Sequence, residues 1–453
     1  MILLLLAAAL ASDVGIGSTD EAAIRNALLD QLDENTEQLK LPNAPNIYHL
    51  RYHLQRLDHI EAEAHMGGLV YTLVQPNNVL GIETRIDGPD FDNTGFGGWQ
   101  NGFLRTNLPR VLTDYTLRLD CWRHTDRAYK QAVEQYARKK AQFTPPDNHP
   151  GDYTLTGASV GDRGVASVAR SGALINLVRE LSAVFATDVH FERGEVRLGH
   201  EAGFHLVVDT EGTNVRRPLE ETTIRAFVHA RGDDGMLLTD QRLWTVRSPE
   251  HLPTKLEMVA DLQQITAEMK TLLAQDVLVD EYVGPVIFEG AAAIDLFRYL
   301  LTPQLEGTPA EAKFDSWFGE LGSNKDPVRI GRRVLPPEWT VLDDPQLDLN
   351  HPGAFVYDFE GTKSEPVQLV VGGIVRQVLM SRVPRLGTEG TNGHARGVPG
   401  NRANARVSMM VVSPPKNLSS KKLRKTAFKI ASSYGRDSVV VVRRLQEPAV
   451  RST

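Results

Sequence analysis

The sequence predicts an α+β fold: an N-terminal helix-and-antiparallel-sheet domain followed by a mostly β C-terminal domain with a strand–Gly–helix unit. Three observations predict it. Apolar and polar residues alternate with period two through most of 48–86, the pattern of half-buried strands. Helically spaced apolar residues at 20–39 and 108–143 bracket that region. Beyond Pro336 short strand-like runs separated by turns take over.

Element by element, 20–39 reads as an amphipathic helix with acids near its start. Residues 48–54, 60–66, 69–74 and 80–86 read as strands of a meander, turned at Gly67-Gly68 and Pro76-Asn77-Asn78. A long Ala-, Lys- and Arg-rich helix over 108–143 is stopped by Pro145-Pro146. A Gly/Asp-rich linker over 147–166 leads to a second helix at 167–185 and to strands at 196–198, 204–208 and 223–230. A helix over 256–273 follows, then a strand at 283–288, Gly290 and a helix over 291–301. Strands are expected at 354–359, 367–371, 373–379, 405–412 and 439–442. This divides the chain into a leader at 1–11, an N-terminal region at 12–150, a second helix-and-strand region at 151–280 and a C-terminal domain at 281–453.

At 453 residues, with 41% hydrophobic and 24% charged content, the chain has material for two or three domains and is neither fibrous nor globally disordered. A net charge of −7 excludes a molecule-wide basic field for nucleic acid. The charge is uneven: 393–453 carries thirteen Lys or Arg against two acids, net +11, which leaves −18 for the rest. The single cysteine, Cys121, excludes internal disulfides and any multi-cysteine metal site. Residues 1–11 form an apolar run ending Ala9-Leu10-Ala11, so export to a periplasmic or extracellular compartment is expected if this leader is real, and a cytoplasmic location otherwise. No other stretch is long and apolar enough to span a bilayer.

The most conspicuous chemical pattern is His200-Glu201-Ala-Gly-Phe-His205, an HExxxH string. Zinc peptidase chemistry needs two imidazoles on one helical face with a Glu base, whereas this segment alternates as a strand. On a strand, residues five apart face opposite sides and lie roughly 16 Å apart. His49, His53, His59 and His65 recur on expected strands and read as a solvated polar face. No G-x-S-x-G elbow, P-loop or G-x-G-x-x-G occurs. Cys121 sits within the expected long helix with nothing beside it to activate a thiol. The basic run 421–425, with Lys429, lies in an amphipathic stretch whose apolar side is Leu423, Ala427, Phe428 and Ile430; a solvated helix face is the plain reading, and contact with nucleic acid or an acidic partner the other.

Between residues 280 and 400 the order of features resembles the TldD/PmbA family, described both as modulators of DNA gyrase and as metallopeptidases. The residues that carry the resemblance are the 284–293 strand into an Ala/Gly-rich helix through Gly290, the Asp343-Asp344-Pro345 triplet, Glu360-Gly361 ahead of a strand pair at 368–379, and Thr391-Asn-Gly393-His394-Ala395. Each motif alone is weak; their order and spacing are specific. The resemblance weakens toward the N-terminus.

In catalytic members the resemblance implies HExxxH on this helix and a distant Cys as a further zinc ligand. Aligned without gaps, the His, Glu and His positions fall on Phe297, Arg298 and Thr302, and no Cys follows residue 121. The chain therefore resembles the PmbA-type branch that lacks the metal motif and pairs with a catalytic, TldD-like subunit, or with itself as a dimer, acting on peptides. No catalytic residue and no cofactor are then expected, and the Ile294, Phe297, Leu301 stripe packs a core. The alternatives are an active zinc peptidase relocated to His200, Glu201 and His205, and a regulator acting through the basic tail.

Overall fold

The structure, a computed structural model, describes residues 21–97, 101–163, 171–187, 191–275, 281–311, 330–388 and 390–445. The leader read at 1–11 lies outside these residues.

The first half of the chain supplies α1 (Glu21–Gln38), β1 (Ile47–His65), β2 (Gly68–Ile86), β3 (Phe103–Asn107), α2 (Asp114–Gln142), β4 (Val160–Asp162), α3 (Ser171–Ser182), β5 (Phe191–Asp209), β6 (Asn214–Arg231), β7 (Leu237–Val246) and α4 (Lys255–Leu273). All seven strands join one sheet in the order β3-β2-β1-β5-β6-β4, with β7 also on β6. β1 and β5 pair antiparallel from Arg51↔Asp209 to His65↔Glu195, so the segments 12–150 and 151–280 share a sheet and interleave. Period two explains the sharing. Even-numbered residues of β1 (Leu50, Tyr52, Leu54, Ile60, Ala62, Ala64) point to one face, where α1 and α2 cover one end and α3 and α4 the other.

The odd-numbered face is polar, and it is not solvated as the His49/His53 pattern suggested. His49, Arg51, His53, Glu83, Arg85, His205 and Asp209 are all buried on it. The cover is the C-terminal domain, which explains the difference: alternation marks a strand's two faces but not whether a second domain sits on the polar one.

That domain contains β8 (Val286–Phe288), α5 (Ala291–Leu305), β9 (Thr340–Asp343), β10 (Val367–Val371), β11 (Ile374–Val375), β12 (Ala395–Arg396), β13 (Asn404–Ala405), β14 (Met410–Ser413), α6 (Ser420–Ser433) and β15 (Val440–Val442). Its antiparallel sheet runs β11-β10-β9-β14, while β8 and β15 form a separate parallel pair. Leu301 and Leu305 of α5 pack on Val341, Leu369, Val370 and Val375. The two domains meet backbone to backbone: a Cβ built on Gly81 would lie 2.4 Å from Gly400 N and 2.6 Å from Pro399 Cα, so only glycine fits there.

Several expectations are corrected. The turn expected at Pro76-Asn77-Asn78 is absent: these residues pair with Asp58, Leu57 and Arg56 inside the ladder, so 48–54 with 60–66 and 69–74 with 80–86 form the two long strands of one hairpin, not four strands of a meander. Of the strand expected at 373–379 only Ile374–Val375 is strand. Residues 191–209 form one continuous strand through Gly199 and Gly203 instead of two short ones, because both edges are paired. Residues 354–359 are a bent loop folded around the Asp358 carboxylate, which accepts the N–H groups of Glu360, Thr362 and Ala395. The 147–166 connection is pinned where Asp152 meets Lys139 Nζ at 2.5 Å and Tyr153 is buried between the domains. The long helix begins at Asp114, capped by Thr113, because Pro109 and the strand pairing of 103–107 hold the preceding chain extended.

Candidate functional site

Helix α5 is where the zinc ligands of a catalytic relative are expected, so its residues decide whether zinc fits. Gly290 caps the helix with φ 56°. Phe297 offers no donor atom and packs against Trp339, ring centroids 6.2 Å apart. Arg298 is exposed and carries a charge that repels a cation, and Thr302 is a poor zinc ligand. The lone thiol is remote: Cys121 is fully buried in α2, and burial pushes its pKa up, away from the thiolate. These residues do not fit zinc. Nor is the 294/297/301 stripe a core stripe throughout. Leu301 is buried, Phe297 is half-buried and Ile294 is 71% exposed, because α5 lies at the rim of its domain and only its C-terminal half meets the sheet.

His200, Glu201 and His205 lie on β5, where alternation separates them. His200 faces the helix layer, its Nδ1 2.9 Å from Thr222 Oγ1, while Glu201 meets His59 Nδ1 at 3.1 Å. His205 lies in the buried odd face, stacked on His53 (5.3 Å) and Phe359 (5.1 Å). Arg217 Nε donates to His205 Nδ1 at 3.0 Å, which assigns the imidazole hydrogen to Nε2. That Nε2 donates to His53 Nδ1 at 3.2 Å, and His53 Nε2 then faces Glu83. Burial, reinforced by the neighbouring guanidiniums, holds His205 well below the usual histidine range and His53 at about 4, so both rings are neutral at pH 7.

The densest chemistry is the ion cluster between the domains, which sequence reasoning missed. Arg51 bridges Asp209 Oδ2 (3.0 and 3.2 Å) and Glu83 Oε2 (3.1 Å). Arg85 joins Glu83 Oε1 (2.6 Å) to Asp92 Oδ2 (2.9 Å). From the C-terminal domain Arg382 enters, pairing with Glu211, approaching Asp209 at 3.6 Å and donating from Nε to Thr154 O at 2.9 Å. The Tyr153 ring lies against Arg85 (3.7 Å) and Arg382 (4.4 Å). Burial raises the Glu83 and Asp209 carboxyls, yet Arg85 and Arg51 hold Glu83 well below its ordinary value and Arg51, His49 and Arg382 hold Asp209 down. Glu360 is held less closely, its Oε1 3.7 Å from Arg51 Nη1. Its Oε2 accepts Arg382 N at 2.9 Å, and burial pushes it up to about 7.

Among the described residues, His49, Asp209 and Glu211 alone bring three metal-capable groups together. His49 Nδ1 lies 3.2 Å from Glu211 Oε1, and the carboxylate lone pairs are already taken. Asp209 Oδ1 accepts the N–H groups of Glu211 and Thr213, and Glu211 Oε2 those of Thr156 and Gly157. The remaining oxygens serve Arg51 and Arg382, so a cation would have to displace two guanidiniums. The trio is an ion-pair junction, not a metal centre.

The motif residues that carry the resemblance support the backbone. Asp343 accepts Ser408 N (3.0 Å) and Oγ (2.6 Å) and faces His394 Nε2 at 3.1 Å, while His394 Nδ1 meets Asn392 O at 2.9 Å. Asp344 caps the next turn through Gln346 N. Gly361 closes the loop around Asp358, and Gly393 has φ 68° with no room for a Cβ, which would meet Lys363 O at 2.4 Å. Beside the end of α5 a groove of about 430 Å3 is lined by Glu306, Thr308, Glu311, Arg402 and Arg406. The basic run forms α6, where Ala427 and Ala431 are buried and Leu423, Phe428 and Ile430 of its apolar side are exposed beside the lysines. No helix among the described residues is long and apolar enough to cross a membrane.

The fold is similar to that of a putative modulator of a DNA gyrase from Thermotoga maritima, with a TM-score of 0.60 and 14% identity over 89% of this chain and 80% of that one. TldE from Thermococcus kodakarensis gives 0.55 and 15% over 88% and 79%. A putative modulator of DNA gyrase from Bacteroides thetaiotaomicron gives 0.54 and 12% over 87% and 78%. No curated protein matches the sequence. Residues 281–437 match the family model described as PmbA/TldA metallopeptidase C-terminal domain, so the chain carries a C-terminal domain of that type within an architecture similar to those of these solved structures.

Proposed function

We propose that this chain is a non-catalytic subunit that assembles with a catalytic homologue acting on peptides. The observation that carries the reading is the content of α5: at the positions where the family resemblance implies two zinc-binding histidines and a glutamate between them stand a phenyl ring, a hydroxyl and a guanidinium. The strand–Gly–helix scaffold persists while the donor set is replaced. The relocated-site reading has no comparable support, since His200 and His205 face opposite sides of β5 and the histidine stack ends on Arg217, not on solvent.

Metal analysis of the purified chain tests this, together with assay of peptide cleavage by the chain alone. Zinc far below one per chain and no cleavage are expected. Near-stoichiometric zinc that disappears in His205→Ala would overturn the reading.

A further inference from the structure

The strongest concentration of exposed charge of one sign lies on α6. From Gly390 to Arg436 the chain holds no acidic residue, although acids outnumber bases across the whole sequence. Lys421, Lys422, Lys425 and Lys429 are exposed, and none of them has an acidic partner among the described residues. Arg424 differs: it reaches back to Glu289 at 3.0 Å.

Apolar side chains flank this charge. Only Ala427 and Ala431 of α6 are buried, on the side that meets β8. At about 100° per residue, Lys422, Lys425 and Lys429 point away from those alanines, with Leu423 and Ile430 on one flank of the lysines and Phe428 on the other. These three apolar residues are 42%, 44% and 50% exposed, and Tyr434 at the helix end is exposed as well. The hydroxyls are turned back onto the helix: Thr426 donates to Lys422 O (3.0 Å), Ser432 to Phe428 O (3.0 Å) and Ser433 to Ile430 O (2.6 Å). Outward, α6 therefore offers ammonium groups and hydrocarbon, the two features of a helix that lies in a membrane interface.

We propose that α6 is a docking surface for an anionic lipid bilayer. The helix axis lies in the membrane plane, the lysines reach headgroup phosphates, and Leu423, Phe428 and Ile430 enter the boundary between headgroups and acyl chains. Charge complementarity names the partner. Residues 393–453 carry net +11 on a chain whose remainder carries −18, so an anionic plane attracts this face and repels the others, which fixes the orientation of the molecule. Lipid is favoured over nucleic acid by the rest of the helix surface. A nucleic-acid face uses guanidinium forks, hydroxyls and amides on phosphates and bases, whereas here the hydroxyls are taken, Arg424 is paired, and Leu423 and Ile430 gain nothing from phosphate. The proposal goes beyond the subunit reading and depends on neither zinc nor a catalytic partner.

Co-sedimentation of the full chain with vesicles tests this. At low salt, binding to vesicles of equal parts phosphatidylglycerol and phosphatidylcholine is expected, with none to phosphatidylcholine alone, and rising salt should weaken it. Lys422→Ala/Lys425→Ala/Lys429→Ala should lower the partition by about a hundredfold, at roughly five-fold per lysine. Leu423→Gln/Phe428→Gln/Ile430→Gln keeps the charge and should lower it by about tenfold or more. Depth is read separately: in Phe428→Cys, labelled at the new thiol with a polarity-sensitive fluorophore while Cys121 stays buried, emission should shift to the blue on the anionic vesicles. That label also decides the matter if a triple variant unfolds. No binding to the anionic vesicles, binding that survives either triple variant, an unshifted label, or tighter binding to duplex DNA or to a polyglutamate peptide than to the vesicles at equal salt would each overturn the proposal.

Discussion

Arg382→Ala is the sharpest perturbation of the domain junction. The side chain is fully buried and meets Glu211, Asp209, Thr154 O and the Tyr153 ring. Removing one partner of a buried ion pair costs about 3–5 kcal/mol, because the other charge stays desolvated. Two features lower that figure: Arg51 still neutralises Asp209, and Glu211 keeps a sliver of solvent access along with the N–H groups of Thr156 and Gly157. The expected cost is about 3 kcal/mol, read as a lower urea midpoint at pH 7 with an unchanged slope. Arg382→Lys should recover little, since an ammonium cannot stack on Tyr153 while reaching both carboxylates. In Arg382→Ala/Glu211→Gln the orphaned charge is gone, and about 1–2 kcal/mol should return as coupling. A single-variant cost under about 1 kcal/mol, or additive behaviour of the pair, would refute the view of Arg382 as the bolt between domains.

Glu360 gives the pH signature. Its folded-state pKa lies above the unfolded value, so its stabilising contribution is complete below about 4.5 and is lost as pH rises through about 7. Glu83 and Asp209 have the opposite sign, losing their contribution as pH falls below the ordinary carboxylate range. Glu360→Gln should therefore gain on the wild type between pH 5 and 8, by an amount on the order of 2–3 kcal/mol; parallel melting-temperature curves would disprove it. Gly81→Ala should cost about 2–4 kcal/mol in thermal melts by forcing the domains apart at Gly400, whereas Gly199→Ala, whose Cβ would meet nothing within 4 Å, should be near neutral. Phe297→Ala should cost only about 1–2 kcal/mol in urea, less than a full core deletion, because the ring is half-buried.

Period two made the strand character and the Gly67-Gly68 turn of β1 and β2 legible from the sequence but not their length, because Pro76-Asn77-Asn78 has turn composition and is held extended by pairing with 56–58; Thr113 and Pro109 fix the start of α2 by capping chemistry that composition alone does not reveal. The ion cluster was a harder case. Arg51 between Leu50 and Tyr52, and Glu83-Thr84-Arg85 between Ile82 and Ile86, look like solvent-facing charges on half-buried strands. Their burial depends on Arg382, some 300 residues away in sequence, and no local pattern reports a contact of that range. The signal that could have found them is the pairing itself: Arg51 and Glu83 occupy registered positions on neighbouring strands, so opposite charges were already opposed. The 354–359 segment failed as a strand for the converse reason. Ala354, Phe355 and Phe359 are buried, but Asp358 gathers three backbone N–H groups and bends the chain around a carboxylate.

Several motifs that carry the family resemblance lie at or beside this junction, and that bears on what they can mean for activity. Glu360 receives Arg382 N, Gly361 packs toward Thr213 of the large sheet, Phe359 stacks on His53 and His205, and Asp343 with His394 ties β9 to the 391–408 segment. None of these groups touches α5. Their chemistry is the positioning of one domain on the polar face of another, a task the chain must perform whether or not α5 carries zinc ligands. The motifs therefore report the fold, and α5 separately reports the chemistry. A chain can keep the first complete while Phe297, Arg298 and Thr302 replace the second, because the 368–379 motif meets α5 at Leu305, whose O accepts Leu379 N at 2.8 Å, and among the described residues no side-chain hydrogen bond or ion pair joins those three side chains to a motif residue.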